Sequence, residues 1–282
     1  MLKGIVIIAT SHPYYGKMAH NLAVTIRATG TQIPICVLHS GRGLSHLSEK
    51  QKTVFDIVKE IPADGLIAKL HPEFSPFQKT LLLDADMAWL PYRKPEQLFE
   101  ELAGNKFTAI TEGFIDFDGV SDVNVKYPVW SDATATQKAY GLKGKMYQWR
   151  SEVVYFEKCK EVTAMYERAN KIFKNPKVEV TKFAEGIPDE FALSVAACQT
   201  QTEPHAYKWK VSYWFPIAAG RSASASAIGR DYYLLSVGGK SVGTTTRRMY
   251  DGIVGAAHYK LRMQYVFLLQ SKINVMPERR KN

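Results

Sequence analysis

The first apolar run, Gly4 to Ala9, is continuous and does not alternate, which is the pattern of a strand covered on both faces. The period then changes. Met18, Leu22 and Ile26 recur at helical spacing between Gly16 and Ala28, and Gly30 offers a stop. Ile33 to Leu38 repeats the strand pattern, and Ser45 to Lys59 reads as a short helix closing near Pro62. Lys79 to Leu83 is a further apolar strand that runs directly into Asp84-Ala85-Asp86. Strand, helix, strand, helix, strand is the rhythm of an α/β fold with a doubly wound, mostly parallel sheet.

Beyond Pro95 the pattern predicts a helix and then a strand over Phe107 to Thr111. Residues 112–148 carry scattered Gly, Asp, Tyr and Trp with little period, and read as a functional insertion or substrate-facing segment. A strand over Ser151 to Phe156 and a helix over Lys158 to Phe173 follow. Ile187-Pro188-Asp189-Glu190 opens a helix reaching Cys198, with proline and acids where a helix start favours them. Aromatic strands near Lys208 to Phe215 and Asp231 to Val237 flank a Ser/Ala/Gly-rich loop, and a last helix is predicted from about His258 to Lys272. There is no internal repeat.

Composition narrows the setting. Cys36, Cys159 and Cys198 form no CxxC or Cys/His cluster, so each reads as a small buried residue in a reducing compartment. The N-terminal apolar run is too short for a secretory segment, and no window offers the ~20 apolar residues of a membrane span. A cytoplasmic protein is expected. The net charge of +10 is concentrated: residues 205–282 hold 13 Lys/Arg against Asp231, Asp251 and Glu278, while the rest of the chain is neutral. That asymmetry suggests an anionic partner, either a nucleotide diphosphate, a nucleic-acid backbone or an anionic membrane surface; a solvated basic tail is the plainer alternative.

The most informative segment is Leu81-Leu82-Leu83-Asp84-Ala85-Asp86. Two carboxylates flanking one small residue, at the C-terminal end of an interior strand, lie where open α/β sheets place ligands. They could hold a hard divalent cation, which would neutralise a diphosphate. Rival chemistries find no footing: there is no GxxxxGK[ST] loop, no GxGxxG after the first strand and no GxSxG elbow.

Lys79-Thr80 followed by three leucines, Asp84, Ala85 and Asp86 resembles the lysine, apolar strand and Asp-x-Asp of GT-A fold glycosyltransferases, especially the family 8-like retaining enzymes. The resemblance implies a single GT-A domain over 1–282, with a nucleotide-binding half (1–110) and a donor-sugar and acceptor half (111–282). It implies that the loop after the first strand, with Thr10, His12, Tyr14 and Tyr15, embraces the nucleoside; Tyr14 and Tyr15 packing the following helix is the alternative. It implies manganese or magnesium on Asp84, Asp86 and His258, with Lys79 and Lys260 on the donor side. A UDP-sugar is the implied donor. The family's Asn-Ser/Ala-Gly is met here by Arg150-Ser151-Glu152, which keeps only the serine as a donor contact and reads otherwise as an Arg150–Glu152 ion pair. Asp189-Glu190 matches the acidic helix start beside the donor sugar, one of the two serving catalysis. Retention of the anomeric configuration follows from the resemblance alone.

The acceptor placed first is duplex DNA carrying a hydroxylated base, as in phage-type DNA glycosyltransferases, because the basic C-terminal region interleaves Trp209, Tyr213, Trp214, Tyr232 and Tyr233. A glycan or lipid-linked glycan is the alternative. A non-catalytic nucleic-acid-binding protein built on the same sheet is a third.

Overall fold

The structure, a computed structural model, describes residues 2–10, 12–90, 92–122, 130–182, 186–214 and 232–236. Its centre is a six-stranded sheet in the order β3-β2-β1-β4-β7-β6, built from β1 (Lys3–Ala9), β2 (Ile35–His39), β3 (Ile57–Glu60), β4 (Lys79–Asp84), β6 (Phe107–Asp116) and β7 (Lys145–Glu157). The pairings β1–β2, β1–β4 and β2–β3 are parallel, whereas β7 lies antiparallel between β4 and β6. Five strands therefore share one direction and β7 opposes them.

Helices cover both faces, and this explains the continuous apolar runs. Ile5, Ile7, Val37, Leu81 and Leu83 join a core cluster with Met18, Leu22 and Ile26 of α1 (Pro13–Arg27) and with Leu98 of α3 (Pro95–Glu101). The alternate residues Val6, Ile8, Leu38 and Leu82 join a second cluster with α5 (Lys160–Lys174) and α6 (Asp189–Gln199). Cys36 and Cys198 are buried within it, and all three cysteines are free. A small second sheet, β5 (Met87–Trp89), β9 (Leu234–Ser236) and β8 (Ser212–Trp214), begins immediately after Asp86.

Two expectations are corrected. Ser45 to Lys59 is not one helix. Only Glu49–Lys52 (α2) is helical, closed at its start by a Ser48–Gln51 capping box, and Ile57–Glu60 is the edge strand β3. The β-branched pair Ile57-Val58 and an alternating half-buried, exposed pattern suit a sheet edge, and Val58 is indeed exposed. Residues 112–148 are not an irregular insertion throughout. β6 extends to Asp116, β7 starts at Lys145, and between them Ala133–Tyr140 forms α4, capped by Asp132 and ended by Gly141 at φ 64°. The period was obscured by bulges: the β6–β7 register shifts at Ala109/Ile110 and again at Thr111/Phe114. The predicted helix at His258 to Lys272 lies outside the described residues.

Candidate active site

Every functional side chain brought together here stands at the edge where the parallel strands end, the usual ligand edge of such sheets. Asp84 closes β4, in register with Ile8 of β1, and a tight turn places Asp86 immediately beyond it. Lys69, on the 3-10 turn Gly65–Leu70, reaches across to Asp84 with Nζ 2.7 Å from Oδ1 and 2.8 Å from Oδ2. The same ammonium donates to Ser151 Oγ at 3.1 Å and lies 4.0 Å from Asp189 Oδ2. Ser151 N in turn donates to Glu190 Oε1 at 3.3 Å. The start of α6 thus delivers both of its acids to β4 and β7.

Beside this group sits a second ionic layer. Arg150 donates through Nη2 to Glu152 Oε2 at 2.8 Å and through Nη1 to Glu112 Oε1 at 2.9 Å. Glu112 falls at the second β6 bulge, where an extra residue re-aims side chains. Ser236 Oγ of β9 donates to Glu152 Oε2 at 2.8 Å, tying the small sheet to the site.

Burial sets the protonation tendencies. For Lys69, burial opposes the charge, but Asp84 and then Asp189 outweigh it, so its pKa is raised. Burial raises Asp189 against the pull of Lys69, and Asp189 Oδ2 has no hydrogen-bond partner. Burial, then the neighbouring Asp189 charge, pushes Glu190 up to about 8. Burial likewise raises Glu152, with Arg150 opposing. Lys69 lies between Asp84 and Asp189, and Arg150 between Glu112 and Glu152, so four carboxyl groups share these two cations. A diphosphate entering here needs further positive charge.

Next to the acidic group, beyond β1 and β2, opens a cleft of about 650 Å³ lined by His12, Pro13, Tyr14, Ser40, Gly41, Arg42, His46 and Asp64. His12 caps α1 by accepting from Tyr14 N at 3.2 Å, and its ring stacks on Tyr14 at 5.1 Å. Asp64 accepts from Ser40. The cleft wall is wedged by two glycines: a Cβ on Gly43 would meet the Ala9 carbonyl oxygen at 2.0 Å, and one on Gly16 the Gly43 carbonyl oxygen at 2.3 Å. Gly43→Ala is expected to cost about 1–3 kcal/mol of stability by overpacking backbone against backbone. A thermal melt matching wild type would show that the loop yields freely.

The predicted residues distribute unevenly. Asp84, Ser151, Asp189 and Glu190 converge, and Asp86 stands in the turn just after Asp84. Thr10 is buried just beyond β1, Tyr14 is 42% exposed on the cleft, and Tyr15 packs on the core. Lys79 does not converge: it begins β4, pairs with Glu157 at 2.6 Å, and stands about 17 Å along the strand from Asp84. Its extended strand carries it to the opposite edge. His258 and Lys260 lie outside the described residues, among which no three His, Cys, Asp or Glu form a metal cage. Trp209 and Tyr233 are core residues whose Nε1 and OH donate to Glu101 at 2.9 and 3.0 Å. Lys69, Glu112 and Ser236 were not anticipated.

No protein-family model matches the sequence, and no curated protein matches it. Solved structures do. The fold is similar to that of the bifunctional glycosyltransferase WbbM in its apo form, with TM-score 0.54, 11% identity, and coverage of 93% of this chain and 52% of that one. The chain thus spans about half the length of WbbM. It is also similar to the galactosyltransferase LgtC in complex with donor and acceptor sugar analogs, with TM-score 0.50, 11% identity, and coverage of 91% and 96%. The α/β fold with a central, mostly parallel sheet is therefore of the GT-A glycosyltransferase kind.

Proposed function

We propose that this protein is a glycosyltransferase that moves a sugar from a nucleoside diphosphate sugar to a hydroxyl acceptor. The observation that carries the reading is the convergence of Asp84, Asp86, Asp189 and Glu190 beside an aromatic-edged cleft, at the ligand edge of a glycosyltransferase-like sheet. In this reading the cleft takes the nucleoside, with Tyr14 and His12 offering ring faces. Asp84 and Asp86 present hard carboxylate oxygens on one turn, and by donor type they fit a manganese- or magnesium-class cation. Bound there, with His258 as a further ligand and Lys260 adding charge, the cation would stabilise the leaving diphosphate. The site's surplus of carboxylates supports that need.

The chain's own residues do the rest. Lys69 fixes the direction of Asp84, and Arg150 holds Glu112 and Glu152 as a rigid floor. Asp189 is fully buried and Glu190 half-buried, and in this reading Glu190 is the acid that meets substrate. In its ionised form, which gains population as pH rises towards about 8, it takes the acceptor's proton or stabilises the cationic transition state. Retention of configuration rests on the family 8-like resemblance.

For the acceptor we place a sugar hydroxyl first, because LgtC was solved with donor and acceptor sugar analogs and because Trp209 and Tyr233, two aromatics of the presumptive DNA surface, are core. Duplex DNA with a hydroxylated base is the second reading, favoured by the 13 Lys/Arg of residues 205–282. One experiment tests both. Sugar nucleotides are offered with manganese, scoring donor hydrolysis and transfer to sugars and to plain and hydroxymethylated DNA. DNA affinity is measured at two salt concentrations. Donor hydrolysis with transfer to a sugar is expected. A DNA acceptor would instead show transfer to hydroxymethylated DNA and log affinity falling with log salt by about 0.9 per phosphate contacted. Absence of hydrolysis of any donor would remove the enzyme reading and leave the non-catalytic one.

A further inference from the structure

Lys69 holds three N–H donors and meets two different carboxylates at two different distances. Its Nζ is 2.7 and 2.8 Å from the two oxygens of Asp84 and 3.1 Å from Ser151 Oγ. Asp189 Oδ2 waits 4.0 Å away, in a residue only 2% exposed, with no hydrogen-bond partner. A buried carboxylate oxygen without a partner is costly, and a charge-assisted bond closes at 2.7–2.9 Å, so a shift of about 1 Å would satisfy it. Lysine suits such a shift: its ammonium is a compact point charge on a flexible stem, unlike a planar guanidinium fork. Asp84, by contrast, keeps 25% of its side chain exposed and open to a second cation.

We infer that Lys69 is a positioning residue that passes from Asp84 to Asp189 when a divalent cation takes Asp84, so that cation binding and the pairing of Asp189 are coupled. The inference rests on the reading of Asp84 and Asp86 as cation ligands. Without the cation, the ammonium keeps Asp84 from standing as a bare charge. With it, the cation and the ammonium repel each other across one carboxylate, and the displaced ammonium has a buried acceptor already in place. The site then neutralises Asp189 in the state that also carries the donor's counter-charge.

The test is Mn²⁺ alone, followed by electron paramagnetic resonance of the free ion, with wild type, Lys69→Met, Asp189→Asn, the double variant and Asp86→Asn. Circular dichroism melts accompany each, and Lys69→Gln stands in if Lys69→Met does not fold. Removing the competing ammonium is expected to tighten Mn²⁺ binding about tenfold. Asp189→Asn is expected to weaken it, and by several-fold more when Lys69 is present than in the Lys69→Met background. Simple loss of a nearby negative charge would weaken binding equally in both backgrounds. Equal affinity of wild type and Lys69→Met, or an Asp189→Asn effect that is the same in both, overturns the hand-over. No Mn²⁺ binding by any variant, or binding untouched by Asp86→Asn, overturns the metal reading itself.

Discussion

Replacing Asp86 by asparagine is expected to leave a folded protein whose proposed sugar transfer is about 10³-fold slower, the scale of losing one preorganised electrostatic contact to a developing charge. Asp86 is 7% exposed and sits in the turn between β4 and β5, where Asn keeps the shape and removes only the charge. Backbone pairing on either side, Leu83 with Val153 and Met87 with Ser236, does not involve the carboxylate. Stability is followed alongside, because a carboxylate only 7% exposed can also serve the fold. Turnover and thermal unfolding measured together separate the two effects. Activity near wild type at saturating manganese would remove Asp86 from the cation site, and a large fall in melting temperature would make it a structural residue.

Glu190→Gln is the second large effect. Glu190 is half-buried at the start of α6 and accepts from Ser151 N, and losing the proposed general base or charge stabiliser there is expected to cost about 10²–10⁴-fold in kcat. Donor KM should move little, because Glu190 does not line the cleft proposed for the nucleoside. A stability readout accompanies the rate. Burial, then Asp189, raises this carboxyl from 4.5 to about 8, so between those values the native protein holds a proton that the unfolded chain releases. Stability contributed by that proton is complete below pH 4.5 and is lost as pH rises through about 8. Urea melts across that window should show the decline in wild type and a flatter profile in Glu190→Gln. A full decline in the variant would assign the proton to Asp189 instead.

Much of this site is written in local pattern, and the remainder is not. β1, β2 and β4 were legible because burial on both faces makes an unbroken apolar run, which nothing but an interior strand explains so simply. Asp84 and Asp86 followed from their place at the end of one. β3 was lost because four half-exposed residues beside a charged helix carry too little period, and β6 was cut short because its bulges break the alternation. Lys69 lies in Gly65-Leu66-Ile67-Ala68-Lys69-Leu70, a stretch whose only local message is apolar. Its meaning comes from Asp84, 15 residues on, and from Ser151, 82 residues on. Lys79 shows the converse failure, a charged residue near the motif in sequence but carried to the far edge by the strand between them.

The closing of the small sheet gives the site a history as well as a shape. The turn bearing Asp86 is fixed on one side by β4, whose partner β1 has already emerged when Asp84 is synthesised. On its other side β5 pairs with β9, Met87 opposite Ser236, and Ser236 also grips Glu152. At about 5–20 residues per second, Ser236 leaves the ribosome roughly 8–30 s after Asp86. Until then the partner that closes the second side of the carboxylate turn, about 150 residues further along the chain, is not yet available to pair with it.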